Sequence, residues 1–273
     1  MDPANELQLR TKASPLFEDM LFGDVSFTVA SHAAWVPGID SGEAWQQWIS
    51  GNLPAAGSGE PAVKPMPPML RRRASTAGKI ALEAAYGALP PDGIADDIPV
   101  VFASRHGECS RSVELLQELS AGTPLSPTAF SLSVHNANAG LFSIARRARG
   151  HGIALAAGDS TVEHAVIEAC GLLADGAPQV LLVAADGPIP ELFAGFSDCR
   201  EQAFGWAWLM QAADADSPLP TMSLQWSAAD TADAQKTDAA PGGIDVLRFF
   251  LTPDADNLVR QADRRRWHWM RHA

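Results

Sequence analysis

The sequence predicts an α/β fold in which a mixed, mostly parallel five-stranded sheet lies between helix layers. Two continuously apolar runs, residues 153–157 and 180–185, are typical of strands that are covered by helices on both faces. The segment between them begins with Ser160-Thr-Val-Glu163, a capping-box pattern, and ends at Gly176, so it predicts a helix. Strand, helix and strand in this order form a right-handed crossover unit.

The elements before this unit follow the same alternation of strand and helix. Proline and glycine punctuate them: residues 51–69 form a loop, and Pro90 and Pro91 stop a helix. The predicted strands are residues 25–30 and 98–103, and the predicted helices are residues 41–50, residues 70–89 and a segment ending at Leu119.

The C-terminal part predicts an added hairpin and helix. Residues 204–212 and 221–227 alternate like two paired antiparallel strands, and residues 228–243 predict a mobile loop with few bulky side chains. Residues 244–251 predict a last strand, followed by a charged helix to the C-terminus. We expect residues 1–23 to be a loosely ordered lead-in and residues 24–273 to form one domain.

Charge and cysteine content restrict the class of protein. The net charge of −12 argues against nucleic acid or an anionic membrane surface as a partner, because both would repel the chain. Three cysteines without paired spacing favour a reducing compartment, so we expect a cytoplasmic protein. No apolar run is long enough for a membrane span, and the N-terminal residues lack the pattern of a signal peptide.

Several segments resemble the ketoacyl synthases of the thiolase superfamily. Residues 71–89 (RRRASTAGKIALEAAYGAL) are similar to an early helix of that family, and residues 134–144 (VHNANAGLFSI) to its helix that begins with asparagine, alanine and glycine. Residues 150–169 follow its strand and nucleophile elbow. The resemblance implies one thiolase-like half, matching the N-terminal half of a full synthase.

Two departures from that family bear on activity. Counting back from His164 places Asp159 where the family has its nucleophilic cysteine, and neither Gly158 nor Ser160 is a cysteine. Only 46 residues follow the predicted strand 221–227 in this sequence, which leaves no room for the second half that supplies the family's two histidines. The sequence of residues 133–140 (SVHNANAG) most resembles that of the short chain-length factors of aryl polyene and xanthomonadin-type pigment clusters.

This chemistry predicts a subunit without catalytic activity of its own. Condensation needs a thiolate at a helix N-terminus, whereas acylation of a carboxylate would give an anhydride that water destroys. We therefore expect Asp159 or Ser160 to cap the helix. The resemblance implies a catalytic ketoacyl synthase as partner in a heterodimer, with an acyl carrier protein reached through that partner. It implies no catalytic residue, cofactor or metal in this chain.

The predicted contact surface covers residues 130–142. A growing polyene would meet side chains of this segment, with Leu141 and Phe142 as the bulkiest barriers. The predicted pocket and interface residues are Phe130, Val134, His135, Asn136, Asn138, Leu141, Phe142, Asp159 and Ser160. The arginine triplets 71–73 and 264–266 are the clearest basic patches, although each also fits a solvated surface.

Other hypotheses remain open at this stage. Gly158-Asp159-Ser160 after a strand also matches the motif of SGNH-type esterases, with Ser160 as nucleophile, but no Asp-x-x-His follows it. A self-contained acyltransferase-like enzyme of the thiolase fold is a further alternative. Cys109 opens a helix and could be an activated thiol, whereas Cys170 is expected in the core. His164 and Glu168 predict an i,i+4 ion pair.

Overall fold

The computed structural model describes residues 21–53, 57, 59–90, 97–214, 216–229 and 239–272. Strands and helices alternate through the first two thirds of the chain. The strands are β1 Leu21–Trp35, β2 Val100–Ala103, β3 Gly152–Leu155, β4 Val180–Asp186, β5 Phe204–Ala212, β6 Thr221–Ala228, β7 Asn257–Ala262 and β8 Arg265–His272. The helices are α1 Gly42–Ile49, α2 Pro68–Arg71, α3 Thr76–Gly87, α4 Cys109–Ser120, α5 Pro127–Ser131, α6 Ala137–Arg146, α7 Thr161–Ala174 and α8 Gly242–Leu251, with a 3₁₀ helix at Glu191–Phe196.

The described strands form one mixed sheet of eight strands in the order β3-β2-β4-β5-β1-β6-β8-β7. The predicted α/β class and the crossover from β3 through α7 to β4 are confirmed. The predicted number of five strands is wrong, and so is the expectation that most pairs are parallel. Among the described strands, β2 with β3 and β2 with β4 are parallel pairs, and the other five pairs are antiparallel.

The N-terminal strand explains much of this difference. Strand β1 is 15 residues long; its residues 27–35 pair with β5, with a bulge between Val29 and Ser31, and its residues 21–28 pair with β6. Strands β5 and β6 therefore do not form the hairpin that their alternation predicted; β1 lies between them. Residues 21–23 of the expected lead-in belong to β1, and residues 1–20 lie outside the described part.

The last two predicted elements are exchanged. Residues 244–251 form helix α8 rather than a strand, because short apolar runs such as this one fit either structure. The C-terminus forms the hairpin β7–β8 rather than a helix. In β8, Trp267 and Trp269 are buried on one face and Arg266 is exposed on the other, which is the period of a strand. Of the predicted loop 228–243, residues 230–238 lie outside the described part.

Helices cover both faces of the central strands. Along β4, Leu181 and Val183 pack in the cluster that includes α3 and α6, and Leu182 and Ala184 pack in the cluster that includes α7 and α8.

The predicted helix 70–89 is divided into α2 and α3, and Ser75 caps α3 by accepting from the Gly78 amide. Among the described helices, none has the length and apolar character needed to cross a membrane.

Candidate functional site

The turn between β3 and α7 lies where the carboxyl ends of the parallel strands meet, the usual place for a site in such sheets. Gly158 has a φ of +59°, a left-handed conformation that favours glycine. A Cβ at Gly158 would lie 2.9 Å from Oδ1 of Asp263, which belongs to the β7–β8 turn. The C-terminal hairpin therefore packs directly on this elbow.

Asp159, the residue that the sequence predicts at the nucleophile position, is held by an arginine of β7. Arg260 Nη2 donates to Asp159 Oδ1 at 3.0 Å and also lies 3.3 Å from the Asp159 carbonyl oxygen. The Asp159 side chain is 36 % exposed and that of Arg260 is 7 % exposed. Asp159 thus carries an ion pair, not the helix cap that the sequence predicted.

The cap of α7 comes from a distant residue. The Ser160 amide donates to Oδ2 of Asp263 at 2.8 Å, and the Ser160 side chain makes no capping bond. The carboxylate thereby satisfies an amide that has no partner within the helix and complements the positive end of the helix dipole. The predicted capping box does not form, because Ser160 and Glu163 both point into the protein interior.

Glu163 points inward because it belongs to a buried cluster of charged side chains. Glu163 is fully buried, forms an ion pair with Arg260 Nη1, and accepts from Trp269 Nε1 at 3.3 Å. Burial acts to lower the pKa of Arg260, but the carboxylates of Glu163 and Asp159 outweigh it and raise that pKa. Asp245 lies 3.9 Å from Arg260 Nε, and its pKa is raised, mainly by burial.

Ser160 is poorly placed to act as an esterase nucleophile. It is fully buried, and its hydroxyl oxygen accepts from Trp267 Nε1 at 3.1 Å. His164 Nδ1 contacts the Ser160 carbonyl oxygen at 2.9 Å rather than its hydroxyl. The His164 ring packs edge-on against Trp267 at 5.2 Å, and the predicted ion pair with Glu168 is not found among the described contacts.

His135 and Asn138 are held by the loop that follows β2. His135 Nε2 lies 2.8 Å from the Ser104 carbonyl oxygen, and its ring packs on Gly107, which has a φ of +53°. Asn138 Nδ2 donates to Oε1 of the buried Glu108 at 2.9 Å. The structure therefore places both predicted residues at the same end of the sheet as the elbow, while Asn136 is exposed at the start of α6.

The loop after β2 is itself fixed by a buried carboxylate. Asp186, the last residue of β4, accepts from the Ser104 hydroxyl at 2.7 Å and from the amides of Arg105 and His106. Burial raises the pKa of Asp186, while these hydrogen bonds act in the opposite direction. Asp186 thus holds the loop after β2 against the end of β4.

The apolar members of the predicted site fall into two groups. Phe130 is 65 % exposed and Val134 is 45 % exposed, so both are available to a partner. Leu141 and Phe142 are only 4 % and 2 % exposed, and Phe142 packs against Phe102 inside the chain's own core. Leu141 and Phe142 consequently do not offer the steric barrier to another subunit that the sequence predicted.

All three cysteines are free thiols. Burial raises the pKa of Cys170 to about 12. Burial, helped by the Glu201 carboxylate, raises the pKa of Cys199 to about 12. The pKa of Cys109 at the start of α4 is also raised by burial, which is opposite to the shift that an activated nucleophile needs.

Within the described part of the chain, one group of side chains has metal-ligand chemistry. Ligand atoms of Asp198, Cys199 and Glu201 lie within 4.8 Å of one another. Arg105 Nη2 donates to both carboxylate oxygens of Asp198 at 2.8 Å, so a guanidinium of the chain already neutralises this position. We interpret the cluster as a structural contact that holds the loops after β2 and β4 together.

The sequence did not indicate Arg260, Asp263 or Arg105 as parts of this site. Arg260 and Asp263 are about one hundred residues from the groups that they contact, and Arg105 is 93 residues from Asp198. They lie in segments without a recognisable motif. The nearest signal in the sequence was the run of charged residues near the C-terminus, and this run predicted a helix.

The family model "beta-ketoacyl synthase, N-terminal domain" matches residues 45–270. The chain belongs to this beta-ketoacyl synthase family. No curated protein matches the chain. Among solved structures, the chain is similar to the complex of a ketosynthase with its chain length factor from Xenorhabdus doucetiae. Identity is 25 % and the TM-score is 0.75, with 90 % of this chain and 99 % of that chain covered.

Longer members of the beta-ketoacyl synthase family share the fold at lower identity. The ishigamide ketosynthase/chain length factor is 16 % identical, with a TM-score of 0.58, over 76 % of this chain and 68 % of that chain. A beta-ketoacyl synthase from Burkholderia phymatum is 11 % identical, with a TM-score of 0.58, over 77 % and 65 % of the two chains. These matches confirm the thiolase-like ketosynthase fold that the sequence predicted.

Proposed function

We propose that the chain is a non-catalytic, ketosynthase-like subunit, a chain length factor that pairs with a catalytic ketosynthase and bounds its acyl pocket. The observation that carries this proposal is the elbow, where Asp159, which we assign to the nucleophile position, is paired with Arg260. The near full-length match to a chain in a complex of a ketosynthase with its chain length factor supports it.

The chemistry of the elbow supports a role without covalent catalysis. An acyl group can be carried and passed on as a thioester, but Asp159 offers only a carboxylate, and the buried Ser160 hydroxyl already accepts a hydrogen bond. The amide at the start of α7 is occupied by Asp263. No thiolate-forming group lies at this position, so the pocket that holds the growing chain is assigned to the partner.

The edge of the sheet offers a surface for that partner. Strand β3 pairs with β2 on one side, and no described strand pairs with its other side. Its residues, Gly152-Ile-Ala-Leu155, include neither charge nor proline, the features that normally protect an edge from association. Helix α6 packs beside β3 and carries Ile144, which is 63 % exposed. We place the heterodimer contact along this edge.

Within this arrangement, Phe130 and Val134 are the members of the predicted set that can bound the partner's pocket. Both are exposed, and Val134 directly precedes His135, which is fixed on the loop after β2. A misfit of one methylene in an apolar pocket costs roughly 1–3 kcal/mol, enough to separate products of neighbouring lengths.

The resemblance to chain-length factors of aryl polyene and xanthomonadin-type clusters suggests a polyene pigment pathway related to fatty acid and polyketide biosynthesis. We propose that an acyl carrier protein delivers substrate through the catalytic partner. We place the complex in the cytoplasm, where a reducing environment keeps thiols such as Cys109 free.

The test is co-expression of the chain with the catalytic ketosynthase encoded beside it. We expect the two to co-purify as a heterodimer and the Gly152→Lys variant to dissociate, because a charge would then stand on the pairing edge. A Cβ at Gly152 meets no atom within 4 Å, so the fold tolerates the change. Gly171→Lys, at an equally open position on α7, is the matched control. A chain that stays monomeric, or that condenses acyl thioesters alone, would contradict the proposal.

A further inference from the structure

A cavity of about 310 Å³ lies between β1, α1 and the end of α8. This volume is at the lower end of the range found for small-molecule sites. None of the residues that line it belongs to the elbow or to β3. Its lining includes the apolar side chains of Ala34, Trp45, Ile49 and Leu251 and two polar side chains, His32 and Gln46.

The two rings that line the cavity are held by further aromatic contacts. Trp45 packs edge-on against the buried Trp48, with 5.6 Å between the ring centroids, and the Arg248 guanidinium lies 4.6 Å from the centroid of the Trp48 ring. His32 packs edge-on against Phe250 at 4.9 Å. Because these rings are already oriented, a ligand ring that packs against them does not have to order them first.

His32 provides a polar group without a partner in the protein. It is exposed, and neither of its ring nitrogens forms a hydrogen bond with another residue in the described part of the chain. Partial desolvation by the surrounding protein lowers the pKa of His32, so the ring is neutral at neutral pH and one nitrogen is free to accept a hydrogen bond.

The lining also restricts the charge of a ligand. Apart from His32, none of the side chains that line the cavity is ionisable. An ionised ligand would therefore lose hydration on entry without gaining an opposite charge. An uncharged ligand with an apolar ring and one hydroxyl group matches both the walls and the imidazole.

We propose that this cavity binds an uncharged aromatic alcohol, whose ring packs against Trp45 and whose hydroxyl donates to His32. The inference does not depend on the proposed function, since the cavity is lined by other residues and takes a small molecule rather than a protein partner.

The experiment is isothermal titration calorimetry of the full chain at neutral pH, with 2-naphthol as the probe. We expect one site with a Kd on the order of 0.1 mM. Naphthalene, which lacks the hydroxyl, should bind about fivefold more weakly, because one hydrogen bond is lost. The charged 2-naphthoate and the saturated decahydro-2-naphthol should also bind more weakly than 2-naphthol.

Two variants locate the binding. Ala34→Leu places three additional carbon atoms in the cavity and should weaken binding of 2-naphthol by about tenfold or more. His32→Phe keeps a ring beside Phe250 but removes the acceptor, so 2-naphthol should then bind only as well as naphthalene. Ala228→Leu, at a half-buried position of β6 outside the cavity, is the control and should leave both affinities unchanged. Circular dichroism checks that each variant is folded.

The inference is overturned if the wild-type chain does not bind 2-naphthol, or if folded Ala34→Leu binds it as the wild type does. If Ala34→Leu does not fold, His32→Phe decides, and an unchanged affinity for 2-naphthol overturns the inference. Binding of 2-naphthoate or of the saturated alcohol as tight as that of 2-naphthol would show that the ligand class is wrong. None of these results bears on whether the chain forms a heterodimer, so the proposed function is tested separately.

Discussion

At the residue scale, Arg260 is the group on which the elbow depends. It is the cation that contacts Glu163 and Asp159, and it lies near Asp245. Glu163 is fully buried, so its charge is tolerated only because the guanidinium and the Trp269 indole stand beside it. Removal of one partner from a buried pair is far more costly than the pair itself is favourable.

We expect Arg260→Met to lower the free energy of unfolding by about 3–5 kcal/mol, because Glu163 would be left as an unpaired buried charge. The measurement is urea denaturation followed by tryptophan fluorescence. The double variant with Glu163→Gln should recover much of the loss, since the charge is then removed together with its partner. Arg266→Met, at an exposed position of β8, is the control. Equal stability of the Arg260 and Arg266 variants would contradict this account of the cluster.

The thiols give a second prediction at this scale. Because the pKa of each of the three cysteines is raised, the thiolate fraction at any given pH is lower in the folded protein than in the unfolded chain. Alkylation by iodoacetamide at pH 8 should therefore be slower in the folded state than in urea, and should accelerate as the pH increases. Rapid labelling of Cys109 in the folded protein at neutral pH would restore it as an activated thiol.

At the element scale, a hairpin turn caps a helix that is about one hundred residues away. Asp263 and Arg264 both have positive φ, at 51° and 62°, as a two-residue turn between twisted strands requires. The Asp263 carboxylate accepts from the Ser160 amide at the start of α7. One residue thus serves both the turn and the cap, which ties the β7–β8 hairpin to the elbow.

Replacement of Asp263 separates these two roles. Glycine suits the positive φ of the turn but has no carboxylate, so Asp263→Gly should cost about 1 kcal/mol of stability through loss of the cap alone. Arg264→Gly changes the same turn without touching α7 and should be neutral or slightly stabilising. Chemical denaturation of both variants is the measurement, and indistinguishable stabilities would show that the cap contributes nothing.

At the scale of the whole molecule, the C-terminal hairpin packs against the elbow. Strands β7 and β8 extend the sheet and place Arg260, Asp263 and Trp267 against residues 159 and 160. Asp159 itself remains 36 % exposed. Under the proposed function, this elbow carries no acyl group, and the acyl chain is held by the partner.

Asp159→Cys tests that conclusion directly. We expect no acyl-enzyme after incubation with an acyl thioester, because the substituted position still packs beside the C-terminal hairpin. Intact-protein mass spectrometry is the measurement, and a catalytic ketosynthase treated in the same way is the positive control. A stable acyl adduct on the variant would show that the missing sulfur alone separates this chain from an enzyme.

The local patterns were reliable where one segment decides its own structure. The short helix at residues 41–50, the buried run of β4 and the end of α7 before Gly176 all matched the structure, because short helices, burial on two faces and left-handed turns are local properties. The patterns failed for residues 244–251 and for the C-terminus, where helix and strand were both compatible with the sequence. Packing of Trp206, Trp267 and Trp269 in one core settled those cases.

By itself, the sequence determined the family, the α/β class and the identity of the residue at the elbow, since each depends on which residues follow one another along the chain. The tertiary structure decided that Asp159 pairs with Arg260, that Asp263 caps α7, and that Leu141 and Phe142 are buried. The physical reason is distance along the chain. These contacts join segments whose spacing carries no periodic signal, and only the folded sheet brings them together.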